Sequence, residues 1–130
     1  MAKKRSKPDI LELLTEVFGK YPGNRLAGYL KDGACLEASV DGVTYTLEKR
    51  DGELCFEEGA PECPDISVEL NRAACQYLAD SREMEDFVTR TRECIDGSHN
   101  RCRMTYKINA PWPRMLMKGY LDFARKMGLL

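Results

Sequence analysis

The sequence predicts an α+β fold, a five-stranded, mostly antiparallel sheet with helices covering one face. Three observations carry that expectation. Five short segments alternate apolar and polar side chains at the period of two that a strand imposes. The segments around them place apolar residues three and four apart, the spacing of a single helical stripe. Asp41-Gly42 and Asp51-Gly52 separate alternating runs, and this pair of residues tolerates the positive backbone angles of a tight two-residue hairpin.

In chain order, Asp9 and Glu12 offer a capping box, and Ile10, Leu13, Leu14, Val17 and Phe18 then mark one face of a first helix. Gly19, Pro22 and Gly23 end it, and Asn24 is the expected cap of a short second helical piece with Leu26, Ala27 and Leu30. From Ala34 the period changes to two. Leu36, Ala38 and Val40 oppose Cys35, Glu37 and Ser39, then Val43, Tyr45 and Leu47 oppose Thr44, Thr46 and Glu48, and Leu54 with Phe56 follow the second turn. These three strands make a meander.

The stiff connection Gly59 to Pro64 leads through Asp65 into a fourth strand, where Ile66, Val68 and Leu70 alternate with Ser67 and Glu69. Asn71 is a natural cap for a helix with Ala74, Tyr77 and Leu78, and Asp80 with Glu83 suggests a capping box before Met84, Phe87, Val88, Thr91 and Ile95. In a fifth strand Cys102, Met104, Tyr106 and Ile108 face inward while Arg101, Arg103, Thr105 and Lys107 face out. Pro111-Trp112-Pro113 opens a single last helix, expected to run to Gly128, with Leu116, Tyr120, Phe123, Ala124 and Met127 on its stripe and Met115 alongside.

A chain of 130 residues fits one domain, assigned to residues 9–130 behind a flexible basic tail, residues 1–8. A net charge of −1 gives no broad field to draw in nucleic acid, so no nucleic-acid partner is expected, and membrane contact is at most transient. Without an apolar run long enough to span a bilayer or serve as a signal peptide, the expected location is the cytoplasm. The six cysteines are then read as reduced and mostly core. Seven residues separate Cys55 from Cys63, and Cys94 from Cys102, which lacks the close pairs of zinc and redox motifs, so neither metal nor cofactor is expected.

The order of elements resembles the sterol carrier protein family. The carriers of that resemblance are the meander from Ala34 to Phe56, the run Pro64-Asp65-Ile66-Ser67-Val68-Glu69-Leu70 leading into a capped helix, and the strand-then-helix ending from Tyr106 to Leu130. The resemblance implies a lipid-transfer module with an apolar tunnel between sheet and helices, binding a fatty acyl chain, sterol or similar hydrophobic molecule without catalysis.

The chemistry of an active site is sparse. The one histidine, His99, falls in a turn-like stretch with no neighbouring cysteine motif, and alternation separates Glu69 and Lys107 from Tyr106, so no acid–base set with Asp65 is expected. A pocket reading assigns Phe87, Val88, Trp112, Leu116, Tyr120, Phe123 and Met127 to the lining, with Tyr45, Phe56, Met104 and Tyr106 as the sheet wall. Ordinary core packing selects the same residues from periodicity. The methionines add flexible, polarizable surface suited to ligands of varied shape. The alternative function is a protein–protein interaction module using the same helices. Met117, Leu121, Leu129 and Leu130, off the main stripe, leave room for a homodimer.

Overall fold

Both Asp-Gly pairs take the backbone that a two-residue hairpin needs, with φ of 49° and 87° at Asp41 and Gly42 and of 49° and 81° at Asp51 and Gly52. They join β1 (Cys35–Val40) to β2 (Val43–Arg50) and β2 to β3 (Glu53–Glu58) as an antiparallel meander. A computed structural model of the chain describes residues 10–127. The basic N-terminal segment, the capping role of Asp9, Gly128 and the terminal Leu129-Leu130 lie outside the described residues.

After β3 the loop from Gly59 to Asp65 carries the chain back past β2, so that β4 (Ile66–Leu70) pairs in parallel with β1. β5 (Met104–Ile108) then pairs antiparallel with β4, giving the order β3-β2-β1-β4-β5. Three of the four pairings are antiparallel, as expected. The register aligns apolar residues across the sheet in rows: Phe56, Leu47, Leu36, Ile66 and Ile108 form one, and Tyr45, Ala38, Val68 and Tyr106 another. The reverse face presents Thr46, Glu37, Ser67 and Lys107. One face therefore has to be roofed.

The roof consists of α1 (Ile10–Gly19), α2 (Gly23–Ala27), α3 (Arg72–Ala79), α4 (Met84–Asp96), α5 (Trp112–Met117) and α6 (Tyr120–Lys126). Asn71 caps α3 as expected, its side chain accepting the Ala74 N–H at 2.9 Å. Two other expected caps are replaced. α2 starts at Gly23, ahead of Asn24, and Asp80 closes α3 while Glu83 precedes α4 without a side-chain cap.

The last helix is a further correction. It divides at Gly119, where φ is 86°, an angle that ends a right-handed helix, and where the Tyr29 carbonyl oxygen, only 2.1 Å from an added Cβ, leaves room for glycine alone. The uninterrupted stripe from Leu116 to Met127 does not reveal that contact with the end of α2. Lys49 also departs from simple alternation: it lies on the apolar face, buried, and its Nζ donates to the Ala27 carbonyl at 2.9 Å. A hydrogen-bonded partner is what lets a cation sit there.

An apolar cavity as the candidate functional site

β4 and β5 project Ile66, Val68, Met104, Tyr106 and Ile108 toward the roof, and α4 answers with Phe87, Thr91 and Ile95 at successive helical turns. Phe123, Ala124 and Met127 approach from α6, with Met115 from α5 and Tyr120 at the α6 start. Leu36, Leu78 and Phe18 complete the wall. Between them is a cavity of about 140 Å³. Its surface is almost wholly carbon, since Thr91 spends its hydroxyl on the Phe87 carbonyl, at 2.9 Å, within its own helix. The rim reaches solvent: Tyr106 and Ile108 are 43% and 54% exposed. Among the described residues β5 is an edge strand, and of its inward-facing side chains Met104 is covered while Tyr106 and Ile108 are left half open.

Six of the eleven residues expected at a pocket meet here, namely Phe87, Met104, Tyr106, Tyr120, Phe123 and Met127. The other five lie elsewhere. Tyr45 is buried under the meander half of the sheet, and Phe56 packs toward Gly19 at the end of α1. Val88 faces a wider groove between α2, α4 and α6, shared with Arg25, Glu85 and Lys126. Trp112 and Leu116 point into solvent. The expected inward orientation of Tyr106 and Ile108 is correct in direction, but their edge position leaves them half open. Ile66, Val68, Thr91 and Ile95 were legible as inward residues of their elements, though only the assembled layers bring them to one cavity.

The groove beside Val88 is larger, about 610 Å³, yet it is a shallow cleft with charged walls. For an apolar guest the smaller cavity matters more, because removal of carbon surface from water drives binding there.

A polar network closes the far side of Tyr120. Asp65 is 1% exposed and accepts the Cys35 amide at 2.9 Å and the Tyr120 hydroxyl at 3.0 Å on one carboxylate oxygen. Its other oxygen accepts a hydrogen bond from the Arg114 guanidinium. Burial, then the Asp65 charge, pushes the Tyr120 hydroxyl far above its ordinary range, so it holds its proton. Asp65 also uses its backbone: its carbonyl accepts the amides of Asn109 and Ala110, at 2.8 and 3.1 Å. This carboxylate fastens α5 and α6 to the centre of the sheet and leaves Tyr120 presenting only its ring to the cavity.

His99 packs against Tyr77 with its ring tilted by 48° and the centroids 4.5 Å apart, and its Nδ1 accepts the amides of Arg101 and Cys102 at 3.2 Å. That role is structural, since the nitrogen that could take a proton from a nucleophile is bonded to backbone. Cys75 and Cys94 are buried, and loss of hydration pushes both thiols from 9.0 up to about 12, with the Cys102 thiol adding to the effect at Cys94. Such thiols are poor nucleophiles at neutral pH. Among the described residues no group of histidine, cysteine or carboxylate side chains is arranged to hold a metal.

No family model matches the sequence, and no curated protein matches it. Among solved structures the chain is similar to one described as "UbiJ-SCP2 Ubiquinone synthesis protein", with a TM-score of 0.51 and 13% sequence identity. The match covers 93% of this chain and 89% of that chain. The similarity at this identity is one of fold, and the fold is sterol-carrier-like: a five-stranded mixed sheet with helices on one face.

Proposed function

We propose, from this sterol-carrier-like fold and its apolar cavity, that the chain is a non-catalytic carrier of a hydrophobic small molecule such as a fatty acyl chain or sterol. The carrying observation is the carbon-lined cavity beneath α4 and α6, which opens at Tyr106 and Ile108. Its wall offers no polar anchor, so affinity would arise mainly from apolar area leaving water, at about 25 cal/mol per Å² before the costs of association.

At about 140 Å³ the cavity is close to the ~150 Å³ that admits a benzene ring, so a longer guest requires the roof to move. Asp65 holds α5 through Arg114 and the start of α6 through Tyr120, while Phe123, Ala124 and Met127 further along α6 line the cavity. Swinging that later part of α6 outward, about its anchored start, would widen the space without breaking the sheet.

Purification under native conditions followed by mass spectrometry and lipid extraction tests for a resident guest. Titration with an environment-sensitive acyl fluorophore tests the site itself. One probe per chain is expected to bind, and Ala124→Phe, which fills the cavity, should weaken it about tenfold while the thermal midpoint holds. A folded protein that takes up no probe, or an Ala124→Phe variant that binds it undiminished, would refute the carrier reading.

A further inference from the structure

α4 ends where Gly97 takes a positive φ of 80° and turns the chain back on itself. His99 holds the return at two points. Its amide donates to the Glu93 carbonyl at 3.4 Å, and its Nδ1 accepts the Cys102 amide at 3.2 Å. Asn71 secures the other side, its side chain accepting the Arg103 amide at 3.3 Å and donating to the Arg101 carbonyl at 2.8 Å. Cys102 is thereby laid beside the last turn of α4, where its thiol and that of Cys94 hydrogen-bond to each other.

Seven residues separate these cysteines in sequence, so only the folded chain makes them a pair. Cys94 is 1% exposed and Cys102 2%. The bond between them is polarised. Loss of hydration, then the neighbouring Cys102, pushes the Cys94 thiol up to about 12. Burial raises Cys102 as well, but the hydrogen bond from Cys94 works against that rise. Cys94 is thus the donor, and Cys102 is the sulfur on which a thiolate forms more readily. From Asp96 to Arg101 the loop is exposed apart from the half-buried His99, so its local opening bares Cys102 without disturbing the sheet.

We propose that Cys94 and Cys102 are a modification site, closing reversibly into a disulfide by exchange with a small-molecule disulfide such as glutathione disulfide. The Cys102 thiolate attacks one sulfur of that reagent, whose S–S bond breaks and releases one thiol carrying the proton from Cys102. Cys94 then attacks the Cys102 sulfur of the mixed disulfide and expels the second thiol, which takes the Cys94 proton. Two protein thiols are oxidised, and one reagent disulfide is reduced to two thiols.

The new bond ties the end of α4 to the entry of β5. Ile95, beside Cys94, and Met104, two residues beyond Cys102, both line the cavity, so oxidation clamps one corner of its wall. Bond formation is followed without any guest and is therefore independent of the carrier reading.

Reduced, folded protein is equilibrated in glutathione buffers of graded oxidation, quenched with acid, digested with trypsin and mapped by mass spectrometry. Arg101 lies between the two cysteines, so trypsin parts them when reduced and only a disulfide keeps their peptides together. The expected product has lost two hydrogens, links Cys94 to Cys102, reverts with dithiothreitol and melts at a higher temperature than the reduced chain. Half-oxidation of the folded chain should need about tenfold less glutathione disulfide than in urea, because the fold already holds the sulfurs in contact. Cys94→Ala should stop at the mixed disulfide, keeping one glutathione on Cys102, whereas Cys102→Ala should leave Cys94 reduced. If either variant fails to fold, the linked peptide of the unsubstituted chain decides.

A folded chain whose Cys94 and Cys102 stay reduced across the series overturns the proposal, as does one in which Cys94 links to Cys75 instead. An oxidised form less heat-stable than the reduced one, or a folded chain no easier to oxidise than in urea, overturns it too, since the fold would then hold the sulfurs in a geometry the bond cannot take.

Discussion

Asp65 is fully buried and bonded to three separate parts of the chain, so its removal should reach beyond one ion pair. Arg114 is half exposed and can rehydrate, but the Cys35 amide and the Tyr120 hydroxyl would be left dry and unpartnered. Asp65→Ala is therefore expected to cost about 3 kcal/mol in urea unfolding, more than Arg114→Ala, which leaves the other two donors in place. The thiols make a second prediction. Cys75 and Cys94 hold their protons more tightly folded than unfolded, so their contribution to stability is complete below pH 9.0 and is lost as pH rises toward about 12. At about pH 8 an alkylating reagent should modify exposed Cys63 well before Cys75 or Cys94, as mass mapping would reveal; early modification of Cys94 would contradict its burial. The apolar environment of Cys75 and Cys94 was legible from helical spacing. The role of Asp65 was not, because its partners are up to 55 residues away in sequence and nothing local marks a carboxylate as buried.

At the scale of elements, the turn residues were the most legible. Asp41-Gly42 and Asp51-Gly52 encode a backbone angle, and an angle needs no distant partner to be specified. Gly119 encodes an angle and a close approach together: the positive φ separates α5 from α6, and the nearby Tyr29 carbonyl reserves the position for glycine. Gly119→Ala is expected to cost about 2 kcal/mol or more, since the new methyl group would meet the Tyr29 carbonyl as well as impose strain at positive φ. A thermal melt shifted by only a fraction of a degree would show that α5 and α6 can join smoothly. β5 illustrates a different limit. Its alternation correctly orients Met104, Tyr106 and Ile108 toward the helices, yet period two cannot distinguish a central strand from an edge, and burial differs accordingly: Met104 is covered while Ile108 is open.

At the scale of the molecule, stability should be unequal between the two layers. Amides of β1, paired on both sides, should exchange with solvent most slowly, whereas those of α6 should exchange faster and slow down when an acyl probe is bound. Uniformly slow exchange in α6, unaffected by probe, would leave the cavity without a gate. The sequence by itself determined the strands, the hairpins, the single apolar face and most of the helices, because each follows from periodicity or from a local backbone angle. Tertiary structure alone decided which inward residues meet in a cavity and which pack solid, where Asp65 finds its partners, and that Trp112 and Leu116 face water. Those outcomes depend on strand order and on the seating of α4 and α6 against the sheet, and a side chain's own neighbours in sequence carry no record of what will be brought against it from far along the chain.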